Sequence, residues 1–281
     1  MSERPRALIV RTAGTNCDAE LARAFDLAGA APELVHLDAL IAAPERVARF
    51  DLIGFPGGFS YGDDVASGRV LAMKLRESLY PALRDRARAG APMIGVCNGF
   101  QALVQVGLLP GPEDGVRAES GPPHPTCALT ENVSARFIDR WVRVAPEPES
   151  VCLWTRDLWP SGGPGLDDAM RLPVAHGEGR FVAGATTLDR LERSGQIALR
   201  YGEPVNGSAR DIAGICDASG RILGLMPHPE RYAEWSRHPY WTRLEPGVRE
   251  RATPGLRMFQ NAVSAVLEGS GQPRGAASVH P

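Results

Sequence analysis

The sequence predicts an α/β fold, a parallel sheet with helices on both faces, on three observations. Short apolar runs alternate with helix-patterned stretches through the first hundred residues. One of those runs, Met93-Ile-Gly-Val96, passes through a Gly-x-Cys-x-Gly turn straight into a helical pattern. Finally, 281 residues with 43% hydrophobic and 23% charged side chains have the ordinary composition of a globular chain with a sizeable core.

Each element follows from local pattern. Ala7-Leu-Ile-Val10 reads as a buried strand, and Asp18 to Gly29 as a helix with Leu21, Ala24, Phe25 and Ala28 at helical spacing, capped by Asn16 or Asp18. Strands follow at 33–36 and 51–55, then a long helical stretch over 65–89 with a break expected before Pro81. Strand 93–96 and helix 99–106 complete this half. Residues 110–125 and 146–168 are rich in Pro and Gly and read as surface loops, with Arg140 to Ala145 between them alternating like an edge or half-buried strand. Short strands are expected at 172–175, 180–183, 196–201, 211–216 and 221–226, and a last helix over 254–267 with Leu256, Phe259, Val263 and Val266 near one face. The expected organisation is one domain over 1–268 and a disordered, Gly/Ser/Pro/Ala-rich tail over 269–281.

Composition excludes several classes of function. A net charge of −2 argues against a nucleic-acid partner, and no apolar run is long enough for a membrane span. The N-terminal stretch runs at once into a strand and does not read as a signal peptide. Of the 31 basic residues only Lys74 is lysine, and it does not follow a Gly-rich turn, so the chain has no P-loop for ATP. Five cysteines, at 17, 97, 127, 152 and 216, and six histidines form no local zinc motif and no disulfide framework. A reducing cytoplasm and no metal are the expectation.

Chemistry is concentrated at three places. Cys97 sits where a nucleophile elbow places its nucleophile, with small residues two before and two after because the turn is sharp, and at a helix N-terminus that favours an anionic sulfur. Met226-Pro-His-Pro-Glu230 supplies a base and its orienting group: residues before proline are pushed into extended backbone, where His228 and Glu230 project to one side. That makes a Cys97–His228–Glu230 triad. Gly57, Gly58 and Phe59, directly after a strand, form a candidate oxyanion loop, with the N–H groups of Gly58, Phe59 and Asn98 facing the developing charge. The loop glycines do not make G-x-G-x-x-G, so a dinucleotide site is not supported.

With these residues in place, the sequence resembles the class I, triad-type glutamine amidotransferases, and more narrowly the glutaminase subunits of phosphoribosylformylglycinamidine synthase. The stretches that carry the likeness are 12–20, 56–63, 95–101, 132–141, 172–180, 206–214 and 226–231, spread over nearly the whole chain. The resemblance implies a flavodoxin-like, mostly parallel open sheet. It implies that Cys97 attacks the side-chain amide of glutamine, that Gly58 and Asn98 hold the oxyanion, and that Gln101 helps form the glutamine pocket. Residues 132–137 are a weaker candidate for the amino-acid head group. It also implies a separate synthetase subunit that holds ATP and magnesium, with a small third subunit in many organisms, and ammonia passed through an internal channel.

His176 and Glu178 remain open between a polar turn and a role near the ammonia exit or the synthetase, and Asp63 and Asp64 between helix caps and something more. The two Pro/Gly-rich loops and the tail make the chain longer than compact members of the family, which bears on docking. Competing readings are a subunit for another ammonia-using synthetase, a glyoxalase-like or hydrolytic cysteine enzyme on the same fold, and a non-catalytic regulatory protein that kept the fold.

Overall fold

A computed structural model describes residues 4–112, 121–158 and 166–270. Its strands are β1 (Arg6–Arg11), β2 (Ala31–His36), β3 (Leu52–Phe55), β4 (Met93–Val96), β5 (Cys127–Thr130), β6 (Ile138–Pro146), β7 (Arg171–His176), β8 (Arg180–Ala183), β9 (Ile197–Tyr201), β10 (Ile212–Cys216) and β11 (Ile222–Leu225). Its helices are α1 (Asp18–Leu27), α2 (Leu37–Ala42), α3 (Arg69–Lys74), α4 (Tyr80–Arg88), α5 (Asn98–Val106), α6 (Leu166–Ala169), α7 (Ala185–Arg193), α8 (Pro246–Arg249) and α9 (Pro254–Ser270).

Nine strands form one sheet in the order β2-β1-β3-β4-β11-β10-β9-β6-β7. The first five are mutually parallel, in the order of a flavodoxin-like sheet, and the rest pair antiparallel. Only β10 and β6 run against the common direction, so the carboxyl ends of β1, β3, β4, β11 and β7 all open on the same edge. A separate hairpin-like pair joins β5 and β8.

Register shows that both faces are covered. Gly54 is paired with Ile94, and the space over Gly54 is filled by Leu21 and Phe25 of α1. Gly95, next in β4, points the other way and lies against Gly99 and Leu103 of α5. α1 and α5 therefore cover opposite faces.

Several expectations need correction. Neither Asn16 nor Asp18 caps α1: Cys17 holds the cap position without a side-chain bond, while Asp18 turns to its neighbour Ala19 N–H and to Arg11. The long helix over 65–89 is broken as Pro81 requires, because proline has no N–H for the carbonyl four residues back; Leu75–Leu79 widens into a π turn between α3 and α4. Of the two readings of the alternating strand at 140–145, half-buried holds and edge does not, since β6 lies between β9 and β7. α2, β5, α7 and α8 were not anticipated; each is short.

The expected surface loop over 146–168 is the largest departure. Within its described part, Cys152, Leu153, Trp154 and Leu158 are buried. Trp154 is fully buried edge-on against Phe25 of α1 and Phe259 of α9, with ring centroids 6.3 and 6.1 Å away, and Phe25 meets Phe259 at 5.1 Å. Its indole N–H donates to Arg221 O at 2.9 Å, so the polar handle is satisfied in the core. Pro and Gly mark irregular backbone there, not exposure. Of the loop at 110–125, residues 113–120 lie outside the described residues. Residues 269 and 270 belong to α9, and the remainder of the expected tail also lies outside them.

Candidate active site

β4 delivers Cys97 at the carboxyl edge of the sheet. The residue has φ 51° and ψ −107°, an unfavourable conformation for a side chain bearing a β-carbon. Its N–H donates to Leu225 O of β11 at 2.8 Å, which helps hold the turn. A β-carbon on Gly99 would lie 2.0 Å from the Phe55 carbonyl oxygen, so only glycine lets α5 start this close to β3. This is the physical content of the Gly-x-Cys-x-Gly spacing.

His228 follows β11 on the same edge, its N–H bound to Pro173 O of β7 at 2.8 Å. Its Nδ1 lies 2.6 Å from Glu230 Oε1, and both side chains are buried. The route to this pair differs from the extended-chain expectation. His228 lies just outside the extended region, at φ −106° and ψ 86°, and Glu230 sits on a 3-10 turn over Pro229–Tyr232 that folds the carboxylate back onto the ring. The second proline starts a helical turn, as proline does at a first helical position. Burial pulls the His228 pKa down, but the Glu230 carboxylate and the adjoining Cys17 and Cys97 sulfurs outweigh it, so the ring holds its proton well above the ordinary histidine range. His228 Nε2 and Glu230 Oε2 are buried without hydrogen bonds.

A cleft of about 60 Å³ opens beside these groups, lined by Gly58, Phe59, Cys97 and His228. Phe137, the last residue of the 132–137 candidate stretch, is at its rim with its ring stacked on Phe59 at 6.4 Å. Four lining residues were not anticipated: Asn16, Cys17, Ala175 and Arg231. Asn16 and Cys17 lie in the loop after β1, beside the Gly57 loop after β3, so adjacency of the parallel strands was the available signal. Ala175 closes the other side, its carbonyl oxygen 3.7 Å from Cys97 Sγ.

The oxyanion loop is arranged differently from expectation at two points. Phe59 N–H donates to Gly14 O at 2.9 Å and is therefore occupied, whereas Gly58 N–H and Asn98 N–H make no main-chain bond among the described residues. Gly58 has φ 137°, backbone open to glycine only. Gln101 does not line the cleft. Its amide is buried, with Nε2 donating to Glu178 O at 2.5 Å and Oε1 accepting from Asn98 Nδ2 at 3.1 Å.

Neither His176 nor Glu178 lines the cleft. His176 is buried, with Nδ1 3.1 Å from Asn132 Oδ1; since Asn132 Nδ2 donates to the carbonyls of Arg136 and His176, that contact assigns the imidazole proton to Nδ1. Burial and the neighbouring His228 charge push the His176 pKa down to about 4, so the ring is neutral. Asp63 accepts from Asn98 Nδ2 at 3.2 Å and is raised above the usual carboxylate range, first by burial. Asp64 is exposed, and neither aspartate caps α3, whose cap is Gly68.

Cys17 Sγ, a His228 nitrogen and a Glu230 oxygen fall within 4.8 Å of one another, the only metal-type cluster among the described residues. Arg231 Nη2 donates to that same sulfur at 3.1 Å, which sets a positive charge against any cation. No helix among the described residues is long and apolar enough to cross a membrane.

A strand-to-helix cysteine elbow with a downstream His–Glu pair on this sheet invites comparison with known proteins. The profile of the CobB/CobQ-like glutamine amidotransferase domain matches residues 4–266. The chain belongs to this glutamine amidotransferase family. Within the family it is similar to the phosphoribosylformylglycinamidine synthase subunit PurQ of Dehalococcoides mccartyi, 43% identical over 266 residues covering 92% of this chain and 96% of the relative. The PurQ subunit of Methanococcus maripaludis C7 is 40% identical over 280 residues, with 92% and 96% covered. Among solved structures, a chain of PurLQS from Thermotoga maritima superimposes with a TM-score of 0.69 at 31% identity, covering 94% of this amidotransferase and all of that chain. A putative GMP synthase subunit from Thermoplasma acidophilum shares the fold, at TM-score 0.53 and 12% identity, with 96% and 98% covered.

Proposed function

We propose that this chain is the glutaminase subunit of a phosphoribosylformylglycinamidine synthase, releasing ammonia from glutamine for an ATP-using synthetase in purine biosynthesis. The observation that carries the reading is the convergence of Cys97 and His228 on one small cleft, with Glu230 bonded to the His228 ring, in a chain whose high-coverage relatives are PurQ subunits.

In this mechanism Cys97 Sγ attacks the side-chain amide carbon of glutamine as the thiolate, its proton already held on His228. The oxyanion forms against the N–H groups of Gly58 and Asn98, the two loop donors not already used. His228 then protonates the amide nitrogen, ammonia leaves, and a γ-glutamyl thioester remains on Cys97. His228 next takes a proton from water, which attacks the thioester and releases glutamate. Glu230 holds Nδ1 throughout and supports the imidazolium. Gln101 acts on the cleft through Asn98 instead of by touching substrate.

ATP and magnesium belong to the synthetase subunit in this reading, and a small third subunit completes the complex. The protein works in the cytoplasm, where that pathway's soluble intermediates are.

The test is glutamate release from glutamine by the full chain, purified from its own host with its bound partners. Wild type and Cys97→Ala are compared, and co-purifying chains are identified by mass. Cys97-dependent release with a phosphoribosylformylglycinamidine synthetase attached is the expected result. Release that survives Cys97→Ala overturns the chemistry, and a different synthetase in the complex overturns the pathway.

A further inference from the structure

The loop from Gly57 to Asp63 cannot hold its shape alone. Tyr61, Gly62 and Asp63 are consecutive left-handed residues, at φ 55°, 74° and 51°. Each non-glycine residue in that region costs roughly 1 kcal/mol or more, and such stretches persist only where their surroundings fix them. The Ala13 and Gly14 carbonyls fix one side, accepting from Tyr61 N–H at 2.8 Å and Phe59 N–H at 2.9 Å.

The other side is held by a single buried amide. Asn98 Oδ1 accepts from Ser60 N–H at 3.3 Å, while Nδ2 donates to Asp63 Oδ1 at 3.2 Å and to Gln101 Oε1 at 3.1 Å. Every hydrogen of that amide is committed, and its orientation is set by partners that can only accept or only donate. Asp63 in turn accepts from Ser67 Oγ at 3.0 Å and Gly68 N–H at 3.3 Å, which ties the loop's end to the start of α3. Glu178 makes the network continuous: its carboxylate accepts from Ser67 N–H at 3.3 Å, and its main-chain oxygen holds Gln101.

Asn98 is thus the residue after the nucleophile and, through its side chain, the strut of the loop that carries Gly58. We propose that Asp63 is a positioning residue for glutamine hydrolysis, its carboxylate locking the Asn98 side chain so that the loop donor at Gly58 and the elbow donor at Asn98 keep a fixed separation. The proposal rests on the assignment of Cys97 as nucleophile and of those two N–H groups as the oxyanion site. Asp63 touches no substrate. Its effect is geometric, which separates it from a charge effect and from simple stability. Asparagine at 63 can still accept from Asn98 and Gly68 through Oδ1 and can donate to Ser67 Oγ, whereas alanine can do neither.

The experiment compares wild type, Asp63→Asn, Asp63→Ala and Cys97→Ala as full chains in the complex purified from the host. Misplacement of one donor predicts a fall in kcat of about 10- to 100-fold for Asp63→Ala, with KM within about 3-fold of wild type. Asp63→Asn should restore kcat to within about 3-fold, a rescue that a charge effect would not give. Amide hydrogen exchange supplies a readout independent of turnover: protection at Ser60 N–H should drop in Asp63→Ala and persist in Asp63→Asn, with protection in β4 unchanged in both.

The proposal is overturned if Asp63→Ala keeps wild-type kcat and Ser60 protection. It is also overturned if Asn and Ala are equally impaired, or if protection falls across β4 as well, which marks general loosening. Hydrolysis surviving in Cys97→Ala overturns the nucleophile assignment on which the proposal stands. If no variant turns over, the exchange pattern alone decides whether Asp63 locks the loop.

Discussion

Gly57 lies so close to the imidazole of His228 that a β-carbon on it would sit 2.6 Å from Cε1. The ring cannot retreat without giving up the 2.6 Å contact to Glu230. Gly57→Ala should therefore rotate His228 off Cys97 while leaving the sheet intact. We expect kcat for glutamine hydrolysis to fall about 100-fold, the scale of a 1 Å displacement in a catalytic group. Steady-state kinetics with a circular dichroism melt would show a loss of rate without a matching loss of fold.

Glu230→Gln keeps the size of the side chain and removes its charge. The carboxylate is the strongest influence that raises the His228 pKa against burial, so its removal lets the pKa fall. The limb of the kcat/KM profile that reports His228 should move to lower pH. The rate at neutral pH should drop by about 100- to 10,000-fold, as for a triad whose orienting carboxylate is lost. A pH profile that does not move would show that the carboxylate does not control the imidazole.

His176 gives a stability signature. Its folded pKa of about 4 lies below the ordinary 6.5, so the unfolded chain binds the extra proton first. This contribution to stability is complete above pH 6.5 and is lost progressively as pH falls towards 4. The loss is on the order of a few kcal/mol. His176→Gln should flatten that part of the curve, measured by urea unfolding at pH steps between 7 and 4.

Trp154 tests the buried segment that composition made look like a loop. Trp154→Ala removes the ring that joins α1 to α9 and should cost about 3–5 kcal/mol. Trp154→Phe, which keeps an aromatic ring but loses the bond to Arg221 O, should cost less. Chemical denaturation of both variants orders them.

The parallel half of the sheet was legible because its strands are continuous apolar runs bounded by turns, and Cys97 because a sharp strand-to-helix turn demands small neighbours. His228 and Glu230 were legible as a pair, but the geometry that joins them was not: two prolines restrict the backbone without fixing whether it stays extended or turns. Phe59 N–H was misjudged because its partner, Gly14 O, comes from a loop 45 residues earlier in the chain. Cys17 and Arg231 were missed for a related reason. Both lie in stretches that carry the family likeness, 12–20 and 226–231, but neither residue type at that place declares a role, and only the folded chain brings their side chains to the cleft. Gln101 shows the opposite case, a polar residue at the right place whose side chain turns inward to brace Asn98.

The presence of Cys17 in the same cleft as Cys97 changes how the site can be interrogated. An electrophilic glutamine analogue or a maleimide that enters this space meets two sulfurs, one at the end of β4 and one against the Arg231 guanidinium. Loss of activity together with one added mass would not say which was modified. Peptide mapping of the adduct, or the same labelling carried out on Cys17→Ser, is what turns a stoichiometry into an address.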